Sequence, residues 1–204
     1  MANTPVKQYI SPNALRLDSF ELAAQVVKSG FKPDFLVAFW RGGAPIGCYV
    51  HEFLKICGIH ADHIAIRTSR YTGIDQVSDG KIEVHNLGYL EERLNSNSKV
   101  LVIDDVWDSG KSIQAFKSAL HDKLGDKCPK DIRVATIHFK PKRNKTDQKP
   151  DYFVHETDAW LVYPHELEGL SMEEIKQFFG TEVADLIKMC QAAVTVNKAD
   201  TPKE

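Results

Sequence analysis

Residues 100–112, VLVIDDVWDSGKS, gather three aspartates, two serines, a lysine and a glycine behind a short apolar run. Adjacent carboxylates at a strand end, as Asp104 and Asp105 would be, point in different directions. One can accept hydrogen bonds from a vicinal diol while the other helps hold a hydrated magnesium ion, so a sugar with cis hydroxyls fits. Three residues on, Asp108, Ser109, Gly110, Lys111 and Ser112 open a helix. Gly110 allows close approach, Ser109 and Ser112 offer hydroxyls, and successive amides at a helix N-terminus surround an anion. A phosphate therefore fits about one ribose away from the acidic pair. SGKS also ends a nucleotide-binding P-loop, but that pattern needs glycine where this chain has Asp105, whose charge would repel phosphates. Phosphoacceptor receiver domains place acids at a strand end without a phosphate-cradling turn directly after them. Plain helix capping would occupy one of the three aspartates and leave two without a task.

The segment resembles the signature of the type I phosphoribosyltransferases: a hydrophobic strand, two acids, then D-[ST]-G-x-[ST]. The resemblance implies that Asp104 and Asp105 bind the ribose hydroxyls and magnesium of phosphoribosyl pyrophosphate. It implies that Asp108, Ser109, Gly110, Lys111 and Ser112 hold the 5′-phosphate, with Asp108 close enough to exchange a proton with N7 of a base. The family pattern continues over about residues 35–166. Trp40, Arg41, Gly42 and Gly43 resemble the pyrophosphate-binding loop, in which the peptide before the arginine is often cis. Residues 68–81 resemble the mobile lid of purine members, which closes over pyrophosphate with a Ser-Tyr pair. Here an arginine intervenes, giving Ser69, Arg70 and Tyr71, so the lid contact falls to either Ser69 or Arg70.

Lys140, in IHFKP, stands where purine enzymes place a lysine that donates to an exocyclic oxygen. An ammonium has donors only, which favours a 6-oxo group and disfavours the 6-amino group of adenine. DAWLVYPHE resembles the base-binding segment: Trp160 stacking on the purine, backbone carbonyls near Leu161 and Val162 reading exocyclic amines, and Glu166 near metal and pyrophosphate. The family thus implies magnesium-dependent transfer of a 5-phosphoribosyl group to N9 of hypoxanthine, guanine or xanthine in purine salvage, by a homodimer or homotetramer. Two other readings stand beside it: a regulator that keeps the site as a sensor of phosphoribosyl pyrophosphate, and a pyrimidine transferase.

The elements expected to position these residues alternate between strand and helix. A capping-box pattern, Asp18 followed by Glu21, predicts a helix over residues 19–29 that closes at Gly30. FLVAFW, residues 35–40, suits a strand buried on both faces, and RGGAP turns the chain into a helix near residues 46–57. Strands are expected at 63–67, 82–87 (short and antiparallel), 100–103 and 132–139, with a polar connection at 91–97 and a helix over 111–124. Strands joined by helical crossovers predict an α/β fold of the type I phosphoribosyltransferase kind: a mainly parallel sheet flanked by helices, with a small hood, and its site at the carboxyl ends of the strands. Residues 1–170 are expected to form that domain, 171–194 appended helices at 172–179 and 182–193, and 195–204 a loose tail.

With 204 residues, 43% hydrophobic and 26% charged, the chain has the length and balance of one ordinary soluble domain. Apolar stretches such as FLVAFW run about six to eight residues, far short of the roughly 20 needed to cross a bilayer. The N-terminus, MANTPVKQYISPN, lacks the pattern of a secretion signal, which points to the cytoplasm. Cys48, Cys57, Cys128 and Cys190 form no CxxC pair, and the eight histidines form no HExxH or HxH arrangement, so neither disulfides nor a transition-metal site is expected. Residues 140–149, KPKRNKTDQK, are basic but lack interleaved aromatics; in a chain of net charge −2 they read as a solvated loop with no nucleic-acid partner.

Overall fold

The computed structural model describes residues 7–70 and 82–199. Its first strand, β1 (Lys7–Tyr9), leads into α1 (Pro12–Lys28). The helix begins earlier than expected, because Ser11 accepts the Ala14 amide at 3.1 Å and Pro12 sits in the first turn, where its missing N–H costs nothing. Asp18 is therefore inside the helix and caps nothing; its carboxylate instead lies 3.0 Å from His155 Nε2.

There follow β2 (Phe35–Trp40), α2 (Gly43–Ile56), β3 (Asp62–Arg70), β4 (Ile82–Val84) and α3 (Gly88–Arg93). The short helix α3 replaces the expected polar connection, since Leu90 is fully buried and needs a helical turn to reach the core. β5 (Lys99–Trp107) runs four residues past Ile103, so Asp104 and Asp105 are strand residues. α4 (Lys111–Leu124) has the expected bounds and buries Ile113, Phe116, Leu120 and Leu124, one stripe at helical spacing. β6 (Asp131–Phe139), β7 (Tyr152–Glu156), β8 (Trp160–Val162), α5 (Met172–Phe179) and α6 (Thr181–Ala199) complete the described chain.

Six strands form one sheet in the order β4-β3-β2-β5-β6-β7, parallel except for the antiparallel β3·β4 edge. Along β5 the side chains alternate between two cores. Leu101 and Ile103 join α1 and α2 on one face; Val100 and Val102 join Phe116 and Leu120 of α4 on the other. Each such Leu or Phe, removed from water, contributes about 1.5–3 kcal/mol. The same alternation sends Asp104 and Asp105 to opposite faces where the apolar run stops. Among the described residues no helix is long and apolar enough to cross a membrane, and the four cysteines are free.

β1 pairs with β8, with Lys7 opposite Trp160. α5 is pinned to this small sheet: Tyr9 stacks on Phe178 with ring centroids 3.3 Å apart, and Lys7 Nζ and the Tyr9 hydroxyl donate to Glu174 Oε1 at 2.7 and 3.0 Å. Glu174 also completes a capping box with Ser171. The Lys7 hydrogen bond first, then the Ser171 amide and Tyr9, pull the Glu174 carboxyl from its ordinary 4.5 to about 2. A carboxyl held lower in the folded state stabilises it fully above the ordinary value and loses that contribution as the pH falls through the folded one. The α5 resonances of the wild type are thus expected to lose intensity between pH 4.5 and about 2, ahead of the sheet core. In Glu174→Ala, α5 amides should exchange faster already at neutral pH, as hydrogen exchange followed by NMR would show; unchanged protection would contradict the clamp.

Candidate functional site

The carboxyl ends of β2, β5 and β6 open on one side of the sheet, and the turns that leave them bring most of the expected residues together. After β2 the Trp40–Arg41 peptide is cis. Gly42 and Gly43 then pass so close to β5 that a Cβ at Gly42 would overlap the Asp105 carboxylate, and one at Gly43 the Ile103 carbonyl. Arg41 pairs with Glu168 at 3.5 Å, but both side chains are largely exposed, so the contact is weak and leaves the guanidinium free to turn.

Asp104 Oδ1 accepts the Asp105 amide at 3.0 Å. Burial first, and then the charge of Asp105, push the Asp104 carboxyl well above its ordinary range. A cation or a donor hydroxyl placed there would relieve that strain. Asp105 is held at three points. Its carbonyl accepts the Tyr163 hydroxyl at 2.9 Å, its carboxylate lies 3.1 Å from His165 Nε2, and Gly42 covers its other side. Because Tyr163 gives its proton to Asp105, its 2.8 Å contact with His138 Nδ1 makes that nitrogen the donor. Burial, and then neighbouring His155, lower His138 from 6.5 to about 4, so the imidazole stays neutral near neutral pH.

At the head of α4, Gly110 adopts φ 75 and supplies no side-chain cap, leaving the first-turn amides open to an outside acceptor. The Lys111 amide makes only a long 3.4 Å contact with Ser109 Oγ. Asp108 is gripped by two cations, Arg143 Nε at 2.8 Å and Lys140 Nζ at 3.5 Å. Lys140 is only 6% exposed, and its amide is bonded to the Trp107 carbonyl. Residues 140–149 are a largely exposed loop, as expected, but a tethered one: they turn back at Lys140 and lie over the first turn of α4. Trp107 Nε1 donates to Asn144 at 3.1 Å, and the Lys145 amide to the Ser109 carbonyl at 3.1 Å. The buried tryptophan's need for an acceptor is what draws the loop in.

On β8, Trp160 is 53% exposed, with Lys7 Nζ 5.8 Å from its ring centre, whereas the Leu161 and Val162 side chains are buried. The Val162 carbonyl accepts the Ile10 amide at 2.9 Å, so along the alternating strand the Leu161 carbonyl faces away from β1. Glu166 follows in a turn in which its carboxylate accepts the Tyr163 amide at 3.3 Å. Asp105, His165 and Glu166 each present a donor atom within 4.8 Å of the others; Asp104 lies outside this group. Ser69, at the end of β3, bonds His85 Nε2 at 2.9 Å. Arg70 pairs with Ile82 across the β3·β4 edge, and Tyr71 with the rest of the expected lid lies outside the described residues.

The sequence reading missed Arg143, Tyr163 and His165. The signal for the last two was their place beside Glu166 in YPHE.

A parallel sheet whose strand ends converge on an acidic pair, an uncapped helix N-terminus and a glycine turn defines an α/β domain with its candidate site at the carboxyl ends of the strands. Residues 7–168 match the phosphoribosyl transferase domain, and the chain belongs to that family. Its fold resembles the Helicobacter pylori xanthine-guanine-hypoxanthine phosphoribosyltransferase at 22% identity and TM-score 0.63, covering 84% of this chain and 99% of that one. It also resembles a purine phosphoribosyltransferase from Pyrococcus horikoshii at 24% identity and TM-score 0.59, covering 81% and 97%. A hypothetical protein from Neisseria gonorrhoeae with bound ppGpp superposes at 21% identity and TM-score 0.66, covering 86% and 97%. No curated protein matches the chain.

The glycine turn yields a direct test. Gly43→Ala places a methyl group against a backbone carbonyl that cannot move aside, and should destabilise the fold by about 1–3 kcal/mol in denaturant titrations. Gly42→Ala meets only the Asp105 side chain, so it should keep near-normal stability while displacing that carboxylate. Equal stability of the two variants would contradict this account of the turn.

Proposed function

We propose that the protein transfers the 5-phosphoribosyl group from phosphoribosyl pyrophosphate to N9 of a 6-oxopurine, releasing a nucleoside monophosphate and pyrophosphate. The observation that carries this reading is the buried Lys140 ammonium lying 3.5 Å from Asp108 at the mouth of the phosphate cradle. A cation fixed there donates to a 6-oxo group and finds no acceptor in a 6-amino group.

The role of each residue follows from its place. The open amides of residues 109–112 and the Ser109 and Ser112 hydroxyls hold the 5′-phosphate, and Asp104 and Asp105 take the ribose hydroxyls. Trp160, exposed on β8, offers a ring face to the base, worth about 1–3 kcal/mol per stacked base. The Leu161 carbonyl can accept from an exocyclic amine at purine position 2. Asp108 exchanges a proton with N7, which requires it first to give up one of its two cations; Arg143, the exposed one, is free to leave. Arg41 and the Gly42–Gly43 amides face the leaving pyrophosphate, and Ser69, Arg70 and Tyr71 stand at the start of the segment expected to close over it.

The donor set also fits a divalent cation, since one donor atom each of Asp105, His165 and Glu166 lie within 4.8 Å of one another. Asp105 and Glu166, with Asp104 nearby, would hold magnesium, which neutralises charge gathering on pyrophosphate as it leaves. The transferase unit would span residues 1–170, with α5 and α6 appended to it.

Incubation with donor, Mg2+ and each free base should give monophosphate from hypoxanthine, guanine or xanthine and none from adenine. Asp108→Asn should lower kcat by about 10²–10⁴-fold while donor binding stays within a few-fold of normal. Product formation at the normal rate would remove Asp108 from acid-base chemistry, and no product from any base would favour a sensor of the donor.

A further inference from the structure

Asp108 carries two cations where its proposed exchange of a proton with a base needs an open oxygen. Lys140 Nζ stands 3.5 Å from Oδ2 and is fixed, being 6% exposed with its amide bonded to the Trp107 carbonyl. Arg143 holds Oδ1 through Nε at 2.8 Å, and its side chain is 61% exposed. That grip is a single hydrogen bond: neither terminal nitrogen of the guanidinium has a partner among the described residues. A guanidinium commonly meets an anion with two parallel bonds, so half of this fork is unused. The backbone below it is anchored. The Arg143 amide donates to the Lys140 carbonyl at 3.2 Å, the Lys145 amide to the Ser109 carbonyl at 3.1 Å, and Trp107 Nε1 to Asn144 Oδ1 at 3.1 Å. The side chain therefore pivots on a fixed point beside residues 107–109, next to the uncapped first turn of α4.

We propose that Arg143 is also a ligand of the 5′-phosphate: it turns from Asp108 to the phosphate when the head of α4 is filled, and so opens Asp108 Oδ1 to the base. The inference rests on reading the cleft as a transferase site with its 5′-phosphate on residues 109–112, but it is tested without turnover. A phosphate monoester carries nearly two negative charges near neutral pH and three acceptor oxygens, and it takes both prongs of a guanidinium. A carboxylate that is one-third exposed offers one charge and holds an exposed partner weakly. Phosphate therefore wins the exchange. Lys140 stays on the other oxygen of Asp108, so only the position vacated by Arg143 opens. Arg143 thereby links the phosphate end of the cleft to the base end.

Ribose 5-phosphate and hypoxanthine are the probes, added separately and together to the full chain. In wild type, ribose 5-phosphate should shift the Arg143 Nε–H resonance in 15N NMR and tighten hypoxanthine binding several-fold. Arg143→Gln should bind ribose 5-phosphate about tenfold more weakly, the worth of a charge-assisted contact less the one given up. Hypoxanthine should bind that variant equally with and without the sugar phosphate. Lys142→Gln, which removes a neighbouring exposed charge paired with Asp158, should match wild type in both respects. Thermal unfolding checks that Arg143→Gln is folded. Arg143→Lys, which keeps the charge without the fork, takes its place if it is not, and should also lose the coupling. An Nε–H resonance unmoved by ribose 5-phosphate, unchanged affinity for it in the variant, or coupling that survives the substitution would each overturn the proposal. Any of these with monophosphate still formed would sink this inference alone. An Arg143 response to ribose 5-phosphate with no product from any base would instead sink the transferase reading and leave the phosphate contact standing.

Discussion

The carboxyl end of β5 is where three separate stretches of chain are forced into contact, and the Asp105 position is the point they share. Gly42 and Gly43 reach it because a side chain at either would collide with the strand. Tyr163 reaches it because a buried hydroxyl needs an acceptor, and the Asp105 carbonyl, projecting from the strand toward β8, supplies one. His165 reaches it by stacking on Tyr163. The glycine turn after β2, the carboxylates of Asp104 and Asp105, and the segment after β8 are thereby set at fixed spacing, which is what positioning of the proposed donor and acceptor requires.

The opposite end of the cleft is organised by charge. Asp108 lies between Lys140, held in place by burial, and Arg143, held by little besides the carboxylate itself. The buried cation is fixed in place, while the exposed one can swing away from the carboxylate. Trp160 stands at the rim with Lys7 against its ring, and Lys7 is tied to Glu174. The first strand, although far from Trp160 in sequence, and α5 are therefore both tied to the Trp160 side of the cleft.

What was legible in the sequence was local. VLVI followed by acids and a glycine-serine turn determines β5, the turn and α4 from neighbouring residues alone, and the helix has the bounds that its periodicity predicts. FLVAFW reads as a buried strand for the same reason. β1 and β7 were not legible: KQY carries no apolar pattern and becomes a strand only by pairing with β8, whose partner residues lie at the other end of the domain. The start of α1 was misplaced because Asp18 and Glu21 mimic a capping box inside a helix that Ser11 and Pro12 had already begun. Residues 140–149 read as a solvated loop and most of them are exposed, but composition does not reveal that Trp107 would tie the loop down through Asn144. The residues of the signature and the glycine turn stand together at the carboxyl ends of the strands, where the sequence places them. Arg143, Tyr163 and His165 escaped because their roles exist only through contacts made across the fold.

The central claim is that the strand end and the head of α4 together hold one phosphoribosyl group. A crystal structure with phosphoribosyl pyrophosphate bound measures it most directly. The account predicts the 5′-phosphate on the amides of residues 109–112, the ribose hydroxyls at Asp104 and Asp105, and the pyrophosphate against Arg41 and Gly42. A donor bound with its 5′-phosphate elsewhere, or with Asp104 and Asp105 untouched, would contradict it.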